Sequence, residues 1–239
     1  MKNSKLERIR RDIIKSGIPL EVEVSSILQQ NKWFVLNQFP YVDKIEKKVR
    51  PIDVVSFRTA ERVTPIMVLA IECKKGTDHP WTFYTTPKMD FWAGLATLIS
   101  SLRKIAAKEM EVWQSPKSHL LDEDVRVATI SYVPFGKKDD FFEAVNQVLR
   151  PLFSFSELMK DSKVKNIVTY PVIIYDGEIY EISVGDKDLA IKPIDYLQFV
   201  AGGTPEKLQP TLVDVMRKNH FPNFLKRLDQ EFHEISQAS

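Results

Sequence analysis

The run Ile66-Met67-Val68-Leu69-Ala70-Ile71 constrains this chain more than any other feature. Near-continuous apolar character marks a strand covered on both faces, as in the sheet of an α/β protein. The run ends abruptly in Glu72-Cys73-Lys74-Lys75, so charge gathers where the buried strand emerges. Residues 51–58, Pro-Ile-Asp-Val-Val-Ser-Phe-Arg, read as a partner strand across the polar stretch Thr59 to Thr64.

The flanking segments supply helices and further strands. Residues 4–16 set Leu6, Ile9 and Ile13 on one helical face and stop at Gly17. A second helix over 19–31 has Pro19 in its first turn and an apolar stripe of Leu20, Val24, Ile27 and Leu28. Residues 33–42 are aromatic and β-branched, hence a strand. Helices are predicted over 90–108, capped by Asp90, and from Asp139 or Asp140 to Leu149, with a strand at 125–133 between them. Asp176-Gly177 predicts a hairpin joining two strands. From Ile194 onward the pattern reads as helical, with Asp195 as an N-cap. The predicted fold is α/β, a three-layer sandwich with a central mixed sheet.

Composition narrows the partners. Of 239 residues, 44% are hydrophobic and 28% charged, with a net charge of +2. That excludes wholesale disorder and a histone-like protein held to nucleic acid by bulk charge. The longest uncharged run, Phe91 to Leu102, has 12 residues, short of the ~20 needed to span a bilayer. The charged N-terminus shows no secretory pattern, so a cytoplasmic protein without a membrane partner is expected. One cysteine, Cys73, excludes an internal disulfide and a Cys-rich zinc site.

The chemistry of the chain is legible in one pair of strands. Asp53 and Glu72 lie 19 residues apart, so a hairpin carrying them opposite each other folds back between Arg62 and Val63. That point falls inside the polar stretch where a turn is predicted independently. Strand period two then sets Lys74 on the face of Glu72 and Cys73 on the other. Two carboxylates and an ammonium converge at the open end. The same Glu/Asp-x-Lys string recurs at Glu46-Lys47-Lys48 and Asp161-Ser162-Lys163, but there it lies in charged turns without a partner Asp.

This order resembles the PD-(D/E)XK phosphodiesterases, whose restriction-endonuclease-like fold includes archaeal Holliday-junction resolvases. The motif positions are Pro51-Ile52-Asp53 and Ile71-Glu72-Cys73-Lys74. In resolvase-like members a helical Glu precedes an apolar residue seven on and the first strand about twelve on. Glu21, Leu28 and Trp33 match that spacing, while Glu23 is two residues out of phase. Ile52 before the Asp and Lys32 in place of a usual Gly are departures. The likeness covers about residues 17–110, and the later strands more loosely. It implies one nuclease-like domain over 1–239, with a motif-bearing core at about 17–185 and helical segments at 1–16 and 194–239.

The resemblance further implies a nuclease that hydrolyses phosphodiester bonds of nucleic acid, DNA in the first instance, with metal-activated water. Asp53 and Glu72 would hold Mg²⁺, with Mn²⁺ able to substitute, and the Cys73 carbonyl would add a ligand. Lys74 would orient the attacking water or offset charge, and Glu21 would serve a second ion or its water shell. A homodimer is compatible with this picture. Two rival readings stay open: a catalytically inactive nucleic-acid-binding module on the same fold, and a protein-interaction or structural protein with an incidental charged cluster.

Beside the motif, Lys75 and the turn cations Lys44, Lys47, Lys48 and Arg50 are candidate phosphate contacts, weighed against a solvated hairpin tip. The first helix carries six cations against two anions, which suits either a DNA backbone or an amphipathic capping helix. Of the four histidines only His79, in the loop after Lys74, lies near the motif. Trp81, Phe83 and Tyr84 in that loop are expected to pack, with base stacking the sharper alternative.

Overall fold

The structure, a computed structural model, describes residues 2–43, 45–59, 66–76, 79–87, 125–134, 140–160, 167–184, 188–201 and 211–238. Helices α1 (Lys2–Lys15) and α2 (Ile18–Gln30) precede strands β1 (Phe34–Asp43), β2 (Lys48–Thr59), β3 (Ile66–Lys75) and β4 (Trp81–Pro87). Strand β5 (Arg126–Tyr132) leads to helix α3 (Asp140–Lys160). Then come β6 (Ile167–Asp176), β7 (Ile179–Val184), β8 (Leu189–Pro193), β9 (Tyr196–Ala201) and β10 (Thr211–Arg217). A single 3-10 turn, Lys218–His220, opens helix α4 (Phe221–Ala238). The ten strands form one sheet in the order β1-β2-β3-β6-β10-β9-β5-β4-β7-β8. Its pairings are mixed, with β3–β6 and β6–β10 parallel and β1–β2 and β2–β3 antiparallel.

Helices cover both faces, as the apolar run of β3 requires. Met67, Leu69 and Ile71 pack with Leu20, Val24 and Leu28 of α2 and with Phe224, Leu225 and Leu228 of α4. Val68 and Ala70 face the other way, onto Phe141, Ala144, Val145 and Val148 of α3. Each fully buried Leu or Ile in these layers stabilises the fold by about 1.5–3 kcal/mol. The α/β class with a mixed central sheet is therefore observed. Among the described residues no helix is long and apolar enough to cross a membrane.

Helix α2 ends in a six-to-one and five-to-two pair of main-chain bonds: Trp33 N–H to Leu28 O and Lys32 N–H to Gln29 O, each 3.0 Å. This geometry demands a left-handed residue, and Lys32 supplies it at φ 63°. Leu28 and Trp33, the apolar pair that clamps such an end, are both buried in the same layer. Helix and first strand are thereby set at a fixed angle.

Several expectations need correction. The segment after Ile194 is not helical throughout: β9 and β10 precede α4, which starts only at Phe221. Leu197 and Phe199, like Val213 and Val215, are buried toward α3, while Gln198 and Asp214 are buried on the opposite side. A short segment buried on both faces shows no clean alternation, so its period misleads. Asp195 caps no helix; it receives the Arg217 amide on its carbonyl at 2.9 Å.

The predicted hairpin at Asp176-Gly177 does not form either, for β6 pairs with β3 and β10 and β7 with β4 and β8. A type I′ hairpin turn needs positive φ at both central residues, and no described glycine has one. Five strand positions separate β6 from β7, about 24 Å in a flat sheet. Gly177 and Glu178 span at most about 10 Å. The sheet must curl, and it does: Trp81 at the start of β4 stacks on Tyr175 at the end of β6, ring centroids 3.9 Å apart. The segment Trp81–Pro87 is thus a strand rather than a loop, with Trp81 and Phe83 buried. Helix α3 also runs past Leu149, through Pro151, to Lys160. The helix expected over 90–108 lies outside the described residues.

Candidate active site

The β2–β3 ladder runs from Thr59↔Ile66 to Val54↔Ile71, the antiparallel register in which Asp53 falls level with Glu72, as the sequence spacing requires. One step further the two strands part. Residues 48–52 of β2 pair only with β1 and Asp53 falls between the two ladders, while β3 continues to Lys75 along β6. Asp53 and Glu72 face each other across the opening. The Cys73 amide, which has lost its ladder partner there, donates to Asp53 Oδ2 at 2.9 Å.

Side-chain alternation along β3 divides the motif between the two layers. Glu72 and Lys74 lie on the α3 side, with Lys74 Nζ 3.1 Å from Glu72 Oε1 and 2.6 Å from Gln147 Oε1 of α3. The Cys73 side chain is buried against α2 and α4. Burial and the neighbouring carboxylates push its thiol well above the ordinary range, while its main-chain amide meets Asp53.

Glu21 enters from α2. It stands near enough to Asp53 for the two charges to oppose each other, and burial followed by that repulsion raises its pKa. Gln38 Nε2 donates to Glu21 Oε2 at 2.6 Å. Glu23 points elsewhere and pairs with Lys218 at 3.3 Å. Asp53 is raised mainly by burial, against the lowering effect of the Cys73 amide and Lys74. Glu72, only 4% exposed, is pushed up to about 8 by burial first and the Asp53 charge second.

With the Asp53 charge opposing the ionisation of both Glu21 and Glu72, and one ammonium among the three carboxylates, the site is short of positive charge. Among the described residues no three His, Cys, Asp or Glu side chains form a ready-made metal cage. The donor set nonetheless fits a hard cation: oxygen ligands from Asp53 and Glu72, with Glu21 beside them and no imidazole or thiolate.

The phosphate-contact candidates are distributed differently. Arg50 is engaged by carboxylates, pairing with Glu46 and lying 3.6 Å from Asp43. Arg150 of α3 binds the same two acids at 2.8 and 2.7 Å, which ties the β1–β2 turn to the helix. Lys47 and Lys48 are exposed on that turn. Lys75 is exposed and donates to the Ile14 carbonyl at the end of α1. Lys44 lies outside the described residues. On α1, Leu6, Ile9 and Ile13 are 65%, 45% and 45% exposed, so the amphipathic stripe is uncovered among the described residues. His79 presents its carbonyl to Tyr175 Oη at 2.7 Å.

Sequence reasoning missed two residues, Gln38 and Gln147. Neither carries a charge or a motif spacing; Gln147 lies 73 positions from Lys74. Comparison with protein-family models, curated proteins and solved structures gives no match.

Proposed function

We propose that this protein is a metal-dependent nuclease on a restriction-endonuclease-like fold, cleaving phosphodiester bonds of nucleic acid, with DNA as the first substrate to test. The observation that carries the reading is the parting of β2 and β3 at Asp53 and Glu72, with Lys74 bonded to Glu72 at 3.1 Å. A split in the sheet lets a carboxylate from each strand and one from α2 share a single opening, where a phosphate group could enter.

Mg²⁺ held by Asp53 and Glu72, with the Cys73 carbonyl as a further ligand, would supply charge neutralisation and a water of lowered pKa. Glu21 would extend the anionic face toward a second ion or its water shell. Lys74, fixed between Glu72 and Gln147, places its ammonium where charge develops on the attacked phosphate. A phosphodiester is anionic and resists water, so a site for its hydrolysis must combine cationic charge with an oriented oxygen nucleophile. These residues provide the ligands and the fixed cation.

The test is a cleavage panel of duplex, single-stranded and branched DNA and of RNA in Mg²⁺ or Mn²⁺, beside Asp53→Ala, Glu72→Ala and Lys74→Ala. Metal-dependent cutting by the wild type, lost in all three variants, is expected. Metal-independent binding without cutting would replace the proposal with a non-catalytic nucleic-acid-binding module. No salt-dependent binding to any nucleic acid would point to an interaction or structural protein.

A further inference from the structure

Gln38 combines features that a strand residue rarely shows. Its φ is 49°, in the left-handed region that glycine favours, although it lies within β1. The β1–β2 register is unbroken on either side, at Asn37↔Val54 and Phe39↔Ile52, and only the level of Gln38 and Asp53 is skipped. The backbone distortion therefore sits directly opposite the candidate metal ligand.

The distortion changes where side chains go. Leu36 and Phe39 both pack on the α3 side, although strict alternation over three residues would separate them. Asn37 Oδ1 accepts a hydrogen bond from Ser25 of α2 at 2.5 Å, and Gln38 Nε2 reaches Glu21 of the same helix at 2.6 Å. Two consecutive residues thus reach the same helix. Gln38 also stands close enough to the Asp53 carboxylate to favour its charged form.

We propose that Gln38 is a positioning residue, its carboxamide holding the Glu21 and Asp53 carboxylates side by side so that α2 and β2 present one anionic face to a divalent cation. The inference rests on the nuclease reading. A primary amide has two N–H donors and no charge. It can orient both carboxylates without neutralising them, which a Lys or Arg at this position could not do. Each carboxylate oxygen keeps lone pairs for a cation. Outer hydrogen bonds that orient metal-binding carboxylates typically govern affinity by 10- to 100-fold.

The test is calorimetric Mn²⁺ titration of the metal-free full chain as wild type, Gln38→Ala and Gln38→Gly, with thermal melts of all three. Both variants should bind Mn²⁺ about 10- to 100-fold more weakly. Gln38→Gly should melt above Gln38→Ala, because φ 49° suits glycine. Equal affinity loss at unequal stability identifies the missing amide as the cause. Unchanged affinity in both variants, or a loss confined to the less stable one, would overturn the role of Gln38 and leave the nuclease reading standing. A wild type that binds no Mn²⁺ would overturn both.

Discussion

The Asp53 carboxylate takes the place of a main-chain partner for Cys73, its Oδ2 accepting the Cys73 amide at 2.9 Å just beyond the last β2–β3 pair. A residue proposed to bind metal therefore also closes the end of a ladder. The two roles separate by substitution. Asp53→Asn keeps an acceptor oxygen, whereas Asp53→Ala leaves the amide unpaired beside a buried strand. Urea denaturation should find the Ala variant less stable than the Asn variant by about 1–3 kcal/mol. Both should lose cleavage.

Glu72 makes stability and metal binding depend on pH in opposite senses. Its folded pKa is raised to about 8 from an ordinary 4.5, so the folded state holds the proton more tightly than the unfolded chain. Its contribution is fully present below the unfolded pKa and is lost as pH rises through about 8. Metal-free wild type should lose on the order of a few kcal/mol across that window, relative to Glu72→Gln. Mn²⁺ binding must expel the same proton, so its affinity should climb with pH up to about 8. Denaturation in chelator and Mn²⁺ titration over one pH series measure both. A Glu72→Gln variant with the wild-type pH profile would exclude Glu72 as the source.

The ammonium of Lys74 is held by Gln147 from the opposite layer at 2.6 Å. Replacing Gln147 with Ala frees it without altering the buried apolar stripe of α3. Cleavage should fall about 10- to 100-fold through misplacement of Lys74, chiefly in kcat, with the melting profile little changed. Equal kcat in both proteins would remove Gln147 from the site.

Lys32 closes α2 in a left-handed conformation, φ 63°, where glycine meets no penalty from a Cβ. Lys32→Gly should stabilise the protein by about 1 kcal/mol, read as a shift in denaturation midpoint. A destabilised variant would show that the Lys32 side chain contributes more than its backbone costs.

Local chemistry made the centre of the molecule legible. The apolar run of β3 announced a strand buried on both faces, and the spacing of Asp53 and Glu72 announced the register in which β2 and β3 pair. Alternation along β3 separated Cys73 from Glu72 and Lys74. These are short-range relations, carried by strand periods and by chain length. The choice of Glu21 over Glu23 came from the resemblance, through the match of Glu21, Leu28 and Trp33 to the resolvase-like spacing.

Other features depend on partners remote in sequence. β9 and β10 are strands because they lie between β6 and β5, not because their own pattern says so. Asp176-Gly177 has the composition of a hairpin turn, yet the curl of the sheet carries β7 to β4 and β8. Arg50, read as a phosphate contact, is taken up by Asp43 and Glu46. Gln38 and Gln147 were invisible because a neutral amide acquires its role only from what it touches. The chain alone determined which residues could share the mouth of one hairpin, since covalent spacing limits that choice. The tertiary structure decided what surrounds that mouth, because burial, hydrogen-bond partners and pKa belong to groups brought together from distant parts of the sequence.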